Sequence, residues 1–173
     1  MSKYIKQINT QEDTLYNNIL LLSRNKLFYT KFYLIDTFQN RIHLIFIHIS
    51  FLFIKIKQNS KNAKFENLYQ KMFNLVFYRI EQNMREIGFG DTTINKNMRF
   101  LIKTFYNILF ICEKYKRMNM SDKNIFLNRY LVQNNTKNIT INNDIIEYFN
   151  KYEAFCFDLS TDSVLNGELK FNY

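Results

Sequence analysis

Histidine and cysteine, the side chains best suited to metal binding and nucleophilic chemistry, are few in this sequence. His43 and His48 stand five positions apart, which in a helix separates them by a rotation of about 140°, so the two could not easily share one metal ion. Cys112 and Cys156 are distant and form no CxxC pair, which argues against a zinc knuckle or a disulfide framework. We therefore expect the histidines to be core or interface residues, and we expect Cys112 to be inert in packing.

A charged cluster around the tripeptide Gly88-Phe89-Gly90 is the second place where chemistry could occur. Arg85 and Glu86 precede this tripeptide and Asp91 follows it. A phosphate-binding loop would need a preceding strand and a third glycine, and the P-loop, HExxH and GxSxG motifs are missing from the sequence. The cluster then either fixes a turn between two helices or binds a partner. We expect a protein that is not an enzyme and that has no cofactor.

The elements that position these residues should all be helical. The chain of 173 residues has no proline and only three glycines, so helices run uninterrupted and tight hairpins lack their usual residues. We predict an all-α, single-domain bundle of about six helices with a long buried central helix, and an irregular end after the last helix. The expected helices cover residues 10–25, 36–57, 61–87, 91–115, 121–131 and 142–157, with a short helical piece at 26–32. The expected N-caps are Thr10, Asp36, Asp91 or Thr92, Ser121, and Asn142 or Asn143.

Residues 42–56 form the most apolar stretch. A membrane-spanning helix needs about 20 largely apolar residues, so this shorter stretch, which contains two histidines and Lys55, is expected to be the buried central helix. The segment 61–87 is amphipathic instead, with an inner stripe that includes Ile80 and Ile87. Some of the aromatic residues should line a groove for a partner or client, and the candidates are Phe51, Phe53, Phe77, Tyr78 and Phe110.

Basic residues give the chain a formal net charge of +9, which points to an anionic partner surface. Lys96, Arg99 and Lys103 share one face of their predicted helix, because they stand at positions i, i+3 and i+7. Such a face suits contacts with phosphate groups, whether of ribosomal RNA or of lipid headgroups. The alternative is that these residues only keep the protein soluble.

The nonapeptide at residues 83–91, NMREIGFGD, resembles the "NLREMGVGD" signature of the ubiquinol–cytochrome c chaperone family. Other segments agree with the family in order and spacing. Asn40 stands where many members have Gly, a departure expected to alter only the local cap, and Asn107-Ile108 replaces a family "GR", so no role of that Arg carries over. The remaining similar segments are Leu15-Tyr16-Asn17-Asn18-Ile19, Phe28-Tyr29, residues 36–41, residues 94–98, Phe105-Tyr106 and residues 165–171.

The resemblance implies an all-helical assembly factor for the cytochrome bc1 complex (complex III). Family members in mitochondria pair with a small partner protein, act near the mitoribosome exit and hold newly made cytochrome b. The family core would cover residues 15–115, and residues 132–173 would be a C-terminal extension of the one domain 1–173. The partner-binding residues expected on this basis are Arg41, His48, Arg85, Glu86, Asp91, Phe105 and Tyr106.

Two other functions stay open at this stage. One is a basic helical module that binds RNA or the ribosome without a cytochrome client. The other is an enzyme, which would require a cleft lined with Glu86, Asp91 or His48. The beginning of the sequence has no apolar signal region. We expect a location in the cytoplasm of a bacterium, peripheral at the inner membrane, or in the mitochondrial matrix if the source is a eukaryote. No transmembrane segment is expected.

Overall fold

The computed structural model describes residues 10–58, 63–133 and 143–173, and this part of the chain is a bundle of α-helices. The prediction of an all-α fold is confirmed. A 3₁₀ turn at Tyr115–Arg117 links the fifth and sixth helices. The helices are α1 (Gln11–Ser23), α2 (Leu27–Thr30), α3 (Phe38–Gln58), α4 (Ala63–Glu86), α5 (Asp91–Cys112), α6 (Met120–Tyr130), α7 (Asn143–Asp158) and α8 (Thr161–Leu165).

Helix α3 is the long buried helix at the centre of the bundle. Its apolar side chains lie all round, as in a helix that other elements enclose, and every residue from Ile42 to Ile54 is buried. Helices α1, α4, α5 and α7 pack around it. The apolar stretch thus forms the core, and no helix in the described part of the chain is both long and apolar enough to cross a bilayer.

The observed N-caps agree with only part of the prediction. Thr10 caps α1 as expected, because its hydroxyl accepts the N–H of Asp13 at 3.3 Å. Helix α3 is capped by Thr37, whose Oγ1 accepts the N–H of Asn40 at 3.1 Å, and Asp36 is therefore not its cap. Helix α6 is likewise capped by Asn119 and not by Ser121. The expected beginning of α4 at residue 61 and an N-cap at residue 142 lie outside the described residues.

The turn between α4 and α5 forms as the glycines predicted, although its cap differs. Gly88 has φ +95°, and the hydrogen bonds Phe89 N–H to Met84 O and Gly88 N–H to Arg85 O close the end of α4 in a Schellman motif. Gly90 is the N-cap of α5 without a side-chain bond. Neither Asp91 nor Thr92 is the cap, since Asp91 is already the first helical residue.

The C-terminal end is more regular than expected. Residues 161–165 form the short helix α8, whose N-cap Ser160 accepts the N–H of Ser163 at 3.0 Å. The tail that follows returns to the bundle, where the carbonyl oxygen of Gly167 accepts a 2.9 Å bond from the side chain of Asn18 in α1. The prediction of an irregular end after α7 was therefore wrong, because a serine cap allows one more helical turn.

A short extended contact joins the segment before α3 to the segment after α6. Leu34 and Gln133 form an isolated antiparallel bridge, and the N–H of Ile35 donates to the carbonyl oxygen of Val132 at 3.0 Å. This contact connects residues that are almost a hundred positions apart in the sequence. It fixes the beginning of α3, and therefore Arg41, relative to the rest of the bundle.

Candidate protein-interaction site

A groove between α1, the beginning of α3 and the end of α4 brings together Arg41 and Glu86, two of the residues predicted to bind a partner. The groove encloses about 160 Å³. Its floor consists of side chains from the hydrophobic core, Ile42, Ile45 and Ile80, which are at most 7% exposed. Its edge is polar and charged, as is typical of a protein interface. The other residues that line it are Tyr16, Leu20, Ser23, Arg24, Phe38, Asn83 and Ile87.

Arg41 reaches the edge of this groove in a fixed orientation. Its Nε and Nη2 donate to the two carboxylate oxygens of Asp36 at 2.6 Å and 2.7 Å. The hydrogen bond from Arg41 lowers the pKa of Asp36. Because a two-point contact holds a planar guanidinium in one geometry, Arg41 keeps one orientation while about half of its side chain stays exposed.

Two apolar side chains at the groove are exposed to solvent. Ile87 is 61% exposed and Phe38 is 37% exposed. Ile87 was expected on the inner stripe of α4, which is wrong because the helix ends at Glu86 and the chain turns outward at this point. Both side chains line the groove together with its apolar floor, so they extend the apolar surface of the floor to the solvent-exposed edge.

Arg85 and Asp91 lie beside the groove and do not line it. Arg85 donates to Glu81 at 2.8 Å and to Asp91 at 2.6 Å, so its guanidinium links α4 to the first residue of α5. These hydrogen bonds raise the pKa of Arg85, with the bond to Glu81 contributing most. The geometry supports the turn-fixing interpretation of the cluster for Arg85 and Asp91. Glu86 differs, because its side chain lines the groove.

His48 is fully buried, away from any surface. Its Nδ1 lies 2.7 Å from the carbonyl oxygen of Leu44 and its Nε2 lies 2.8 Å from the hydroxyl of Tyr148. Nδ1–H therefore donates to the carbonyl, and Nε2 accepts from the tyrosine. Burial lowers the pKa of His48 to about 4. The ring is neutral and joins α3 to α7, so we do not include His48 in the interaction surface.

Phe105 and Tyr106 occupy different environments although they are adjacent. Phe105 is 1% exposed and packs edge-on against Phe46 at a centroid distance of 5.3 Å. Tyr106 is 48% exposed and lies beside Phe73. Phe105 thus supports the bundle from within, whereas Tyr106 is accessible to a partner. Neither residue lines the groove.

Of the five aromatic residues expected to contribute a groove, three belong to the core. Phe51, Phe53 and Phe77 are buried, whereas Tyr78 and Phe110 are 56% and 57% exposed. Phe110 lines a second, shallow groove between α5 and α6. A larger cavity of about 450 Å³ lies between α3, α4 and α5, and of the five aromatic candidates Phe53 lines it.

The basic residues Lys96, Arg99 and Lys103 are exposed on one face of α5, as the spacing predicts. Within the described ranges none of the three forms an ion pair. Their positive charge is thus directed toward solvent.

The buried thiols of Cys112 and Cys156 and the ring of His43 serve the packing of the bundle. Cys112 and Cys156 are both buried, and burial raises the pKa of Cys156 to about 12. His43 is 5% exposed and its Nδ1 lies 2.6 Å from the carbonyl oxygen of Tyr130. In residues 10–58, 63–133 and 143–173, no group of three or more metal-ligating side chains occurs.

An all-α bundle with an apolar groove edged by charges belongs to the class of helical protein-binding domains. The family model described as "Ubiquinol-cytochrome C chaperone" matches residues 30–171, and the chain therefore belongs to the ubiquinol–cytochrome c chaperone family. As a member it is an assembly factor that acts on a protein client and not an enzyme. The match includes the last three helices, which lie beyond the segment 15–115 on which most of the resemblance depends.

A solved structure has the same fold. The chain is similar to the crystal structure of the Cbp3 homolog from Brucella abortus, with a TM-score of 0.76 and 20% sequence identity. The similarity covers 94% of this chain and 89% of the other. Among curated proteins, none matches the chain.

Several groove residues were missed by the sequence reasoning. Arg24 was not singled out, since it belongs to no recognisable motif, and Tyr16 and Phe38 were noted only as parts of family segments. The position of Phe38 in the sequence was a signal. An aromatic residue at the first position of a buried helix is not covered by a preceding helical turn, so its ring can be exposed. The exposed ring of Phe100 on α5 was missed as well.

Proposed function

We propose that this protein is an assembly chaperone for ubiquinol–cytochrome c reductase, the bc1 complex or complex III, and that it holds newly made cytochrome b or a small partner protein. The contact surface is the groove of Arg41 and Glu86 with the exposed side chain of Ile87. The protein acts in the cytoplasm of a bacterium, at the inner membrane, or in the mitochondrial matrix of a eukaryote.

The observation that carries the proposal is the composition of this groove in a member of the chaperone family. Its apolar floor suits a hydrophobic segment of a client, and its charged edge gives that segment a preferred orientation. Arg41 is held in one orientation by Asp36, so little conformational entropy is lost when a partner binds it. The exposed fraction of Ile87 leaves apolar area that only a second molecule can cover.

The test is affinity purification of the tagged chain from its native source, followed by detection of cytochrome b and of the co-purified small proteins by mass spectrometry. The variant Ile87→Ser should lose the client while its melting temperature stays within about 2 °C of the wild type, because an exposed side chain contributes little to stability. The matched control is Tyr78→Ser, which removes an apolar group of similar exposure from α4, the helix that ends just before Ile87.

We expect Ile87→Ser to lose cytochrome b or one defined small partner, and we expect Tyr78→Ser to retain it. If neither protein is recovered with the wild-type chain under conditions that preserve the bc1 complex, the proposed client is wrong. If both variants retain the client equally, the groove is not the surface that contacts the client.

A further inference from the structure

The outer face of α5 carries large apolar rings between cationic side chains. Successive residues of a helix are rotated by about 100°, so Lys96, Phe100, Lys103 and Phe110 fall within an arc of about 80°. We call these four residues the α5 stripe. Phe100 and Phe110 are 59% and 57% exposed, and the buried residues of α5 lie on the opposite side of the helix.

The stripe continues onto α6 through the shallow groove. Phe110, Lys114, Ile125 and Arg129 line this groove, and Ile125 is 57% exposed. Lys114 extends over the ring of Phe110, with its Nζ 4.1 Å from the ring centroid. One acidic residue, Asp122, also lines the groove, while Glu113 is turned away and pairs with Lys57.

The cations of the α5 stripe and of the adjoining shallow groove are not neutralised by ion pairs within the described residues. Lys96, Lys103, Lys114 and Arg129 form no ion pair with any residue that the structure describes. Helix α5 is 22 residues long and therefore spans about 33 Å. From Lys96 to Phe110 the α5 stripe covers about 21 Å of this helix, and its cations and projecting rings match a flat anionic surface that has an apolar interior.

We infer that the α5 stripe docks the protein onto an anionic lipid bilayer. The lysines lie at the level of the lipid headgroups, and Phe100, Phe110 and Ile125 insert their side chains at the boundary with the acyl chains. Each lysine near such a surface strengthens binding about fivefold, and the buried apolar area adds to this. The inference goes beyond the proposed function, because vesicle binding needs no client.

A bilayer fits this face better than RNA does. Recognition of single-stranded RNA relies on rings that stack with bases and on polar groups that contact the base edges. Here the apolar groups include the aliphatic Ile125, which cannot stack with bases. A lipid surface accommodates aliphatic and aromatic groups equally.

The chain contains no tryptophan, which allows a direct measurement of insertion. The variant Phe110→Trp should shift its emission to shorter wavelength when mixed with vesicles of phosphatidylcholine and phosphatidylglycerol in a 70:30 ratio. Brominated acyl chains should quench the emission. The matched control Tyr78→Trp, on α4, should show neither effect. Emission of Phe110→Trp that is unchanged on vesicles would overturn the inference.

Vesicle flotation separates the contributions of charge and apolar groups. The double variants Lys96→Glu/Lys103→Glu and Phe100→Ser/Phe110→Ser should each reduce binding at least tenfold. Their controls are Lys26→Glu/Lys170→Glu, with the same change in net charge, and Leu21→Ser/Tyr78→Ser, and both should bind like the wild type. Circular dichroism checks that every variant is folded.

Three outcomes would overturn the inference. Loss of binding in the charge variant alone would indicate adsorption without insertion. Equal loss in the two charge variants would mean that net charge, and not this face, is responsible. Binding of a 20-nucleotide RNA that depends on the α5 stripe, without vesicle binding, would assign the face to nucleic acid and restore the RNA-binding alternative.

Discussion

The side chain of Asn40 pairs in both directions with the backbone of Val132. Its Nδ2 donates to the carbonyl oxygen of Val132 at 2.8 Å, and its Oδ1 accepts the N–H of the same residue at 2.9 Å. Nδ2 also donates to the carbonyl oxygen of Ile35 at 2.7 Å. Asn40 is fully buried and thus ties the beginning of α3 to the segment after α6. The expectation that asparagine at this position alters only the local cap was therefore wrong.

Replacing Asn40 by alanine should lower the free energy of unfolding by about 2 to 3 kcal/mol, since three hydrogen bonds in a buried position are lost. Asn40→Gly should cost about 1 kcal/mol more, because glycine is unfavourable in a helix. Urea unfolding monitored by circular dichroism measures both. The control Asn107→Ala removes an exposed asparagine from α5 and should change the value by less than about 0.5 kcal/mol.

The buried ring of His48 should make the protein less stable in mild acid. The pKa of His48 is about 4 in the folded chain and about 6.5 in the unfolded chain, so the unfolded chain binds the additional proton. The stabilising contribution of neutral His48 is fully present above pH 6.5 and decreases as the pH falls toward 4. The contribution lost between pH 7.5 and pH 5 is about 2 kcal/mol.

The measurement is the urea midpoint at the two pH values for the wild type and for His48→Gln. Carboxylates affect both proteins alike, so the difference between their pH dependences isolates the histidine. His43→Gln serves as a second comparison, because burial also lowers the pKa of His43. Identical pH dependence of the wild type and His48→Gln would contradict the prediction.

The two glycines of the α4–α5 turn should respond differently to alanine. Gly88 has φ +95°, where an L side chain is strained, although nothing lies within 4 Å of an added Cβ. Gly88→Ala should therefore cost about 1 to 2 kcal/mol. Gly90 has φ −73° and equally open space. Gly90→Ala should be close to neutral, because the smaller entropy of the unfolded chain offsets the poorer N-cap that alanine provides. Thermal unfolding of the two variants makes the comparison, and equal losses would show that the turn differs from the one described.

Arg85→Ala should have little effect on stability. The ion pairs of Arg85 are solvent-exposed, and exposed pairs contribute little because solvent screens them. A melting temperature close to that of the wild type is expected. In the client purification, Arg85→Ala should retain the client if Arg85 only fixes the turn. A loss of client at unchanged melting temperature would show that Arg85 contacts the partner. The control Lys71→Ala breaks a partly exposed ion pair between α4 and Glu12 of α1 and measures the general effect of losing such a pair.

The sequence allowed the fold class and most of the helices to be predicted, because the apolar spacing and the glycine turn are local signals. The absence of proline and the all-round apolar pattern of residues 42–56 suffice to identify α3 as the central helix. N-caps were less predictable. Asp36, Thr37 and Ser121 are all suitable caps by residue type. In the structure Thr37 caps α3, while the carboxylate of Asp36 pairs with Arg41.

The site was harder to predict than the fold, since it depends on which residues come together from distant segments. Arg41 and Glu86 belong to different family segments, and their common groove exists only once α1, α3 and α4 have packed. His48 and Phe105 lie in segments that resemble the family, yet they are buried. A residue in a family segment can serve the core as well as the surface, and the sequence does not distinguish the two.

The contacts that close this bundle join residues about a hundred positions apart, such as His48 with Tyr148. During translation at about 5–20 residues per second, α3 leaves the ribosome several seconds before α7 is made. For that interval the apolar face of α3 that α7 covers in the folded chain stays exposed. A nascent chaperone of this architecture is thus briefly in the same position as the proteins it protects, and its synthesis should benefit from the cell's general holdases.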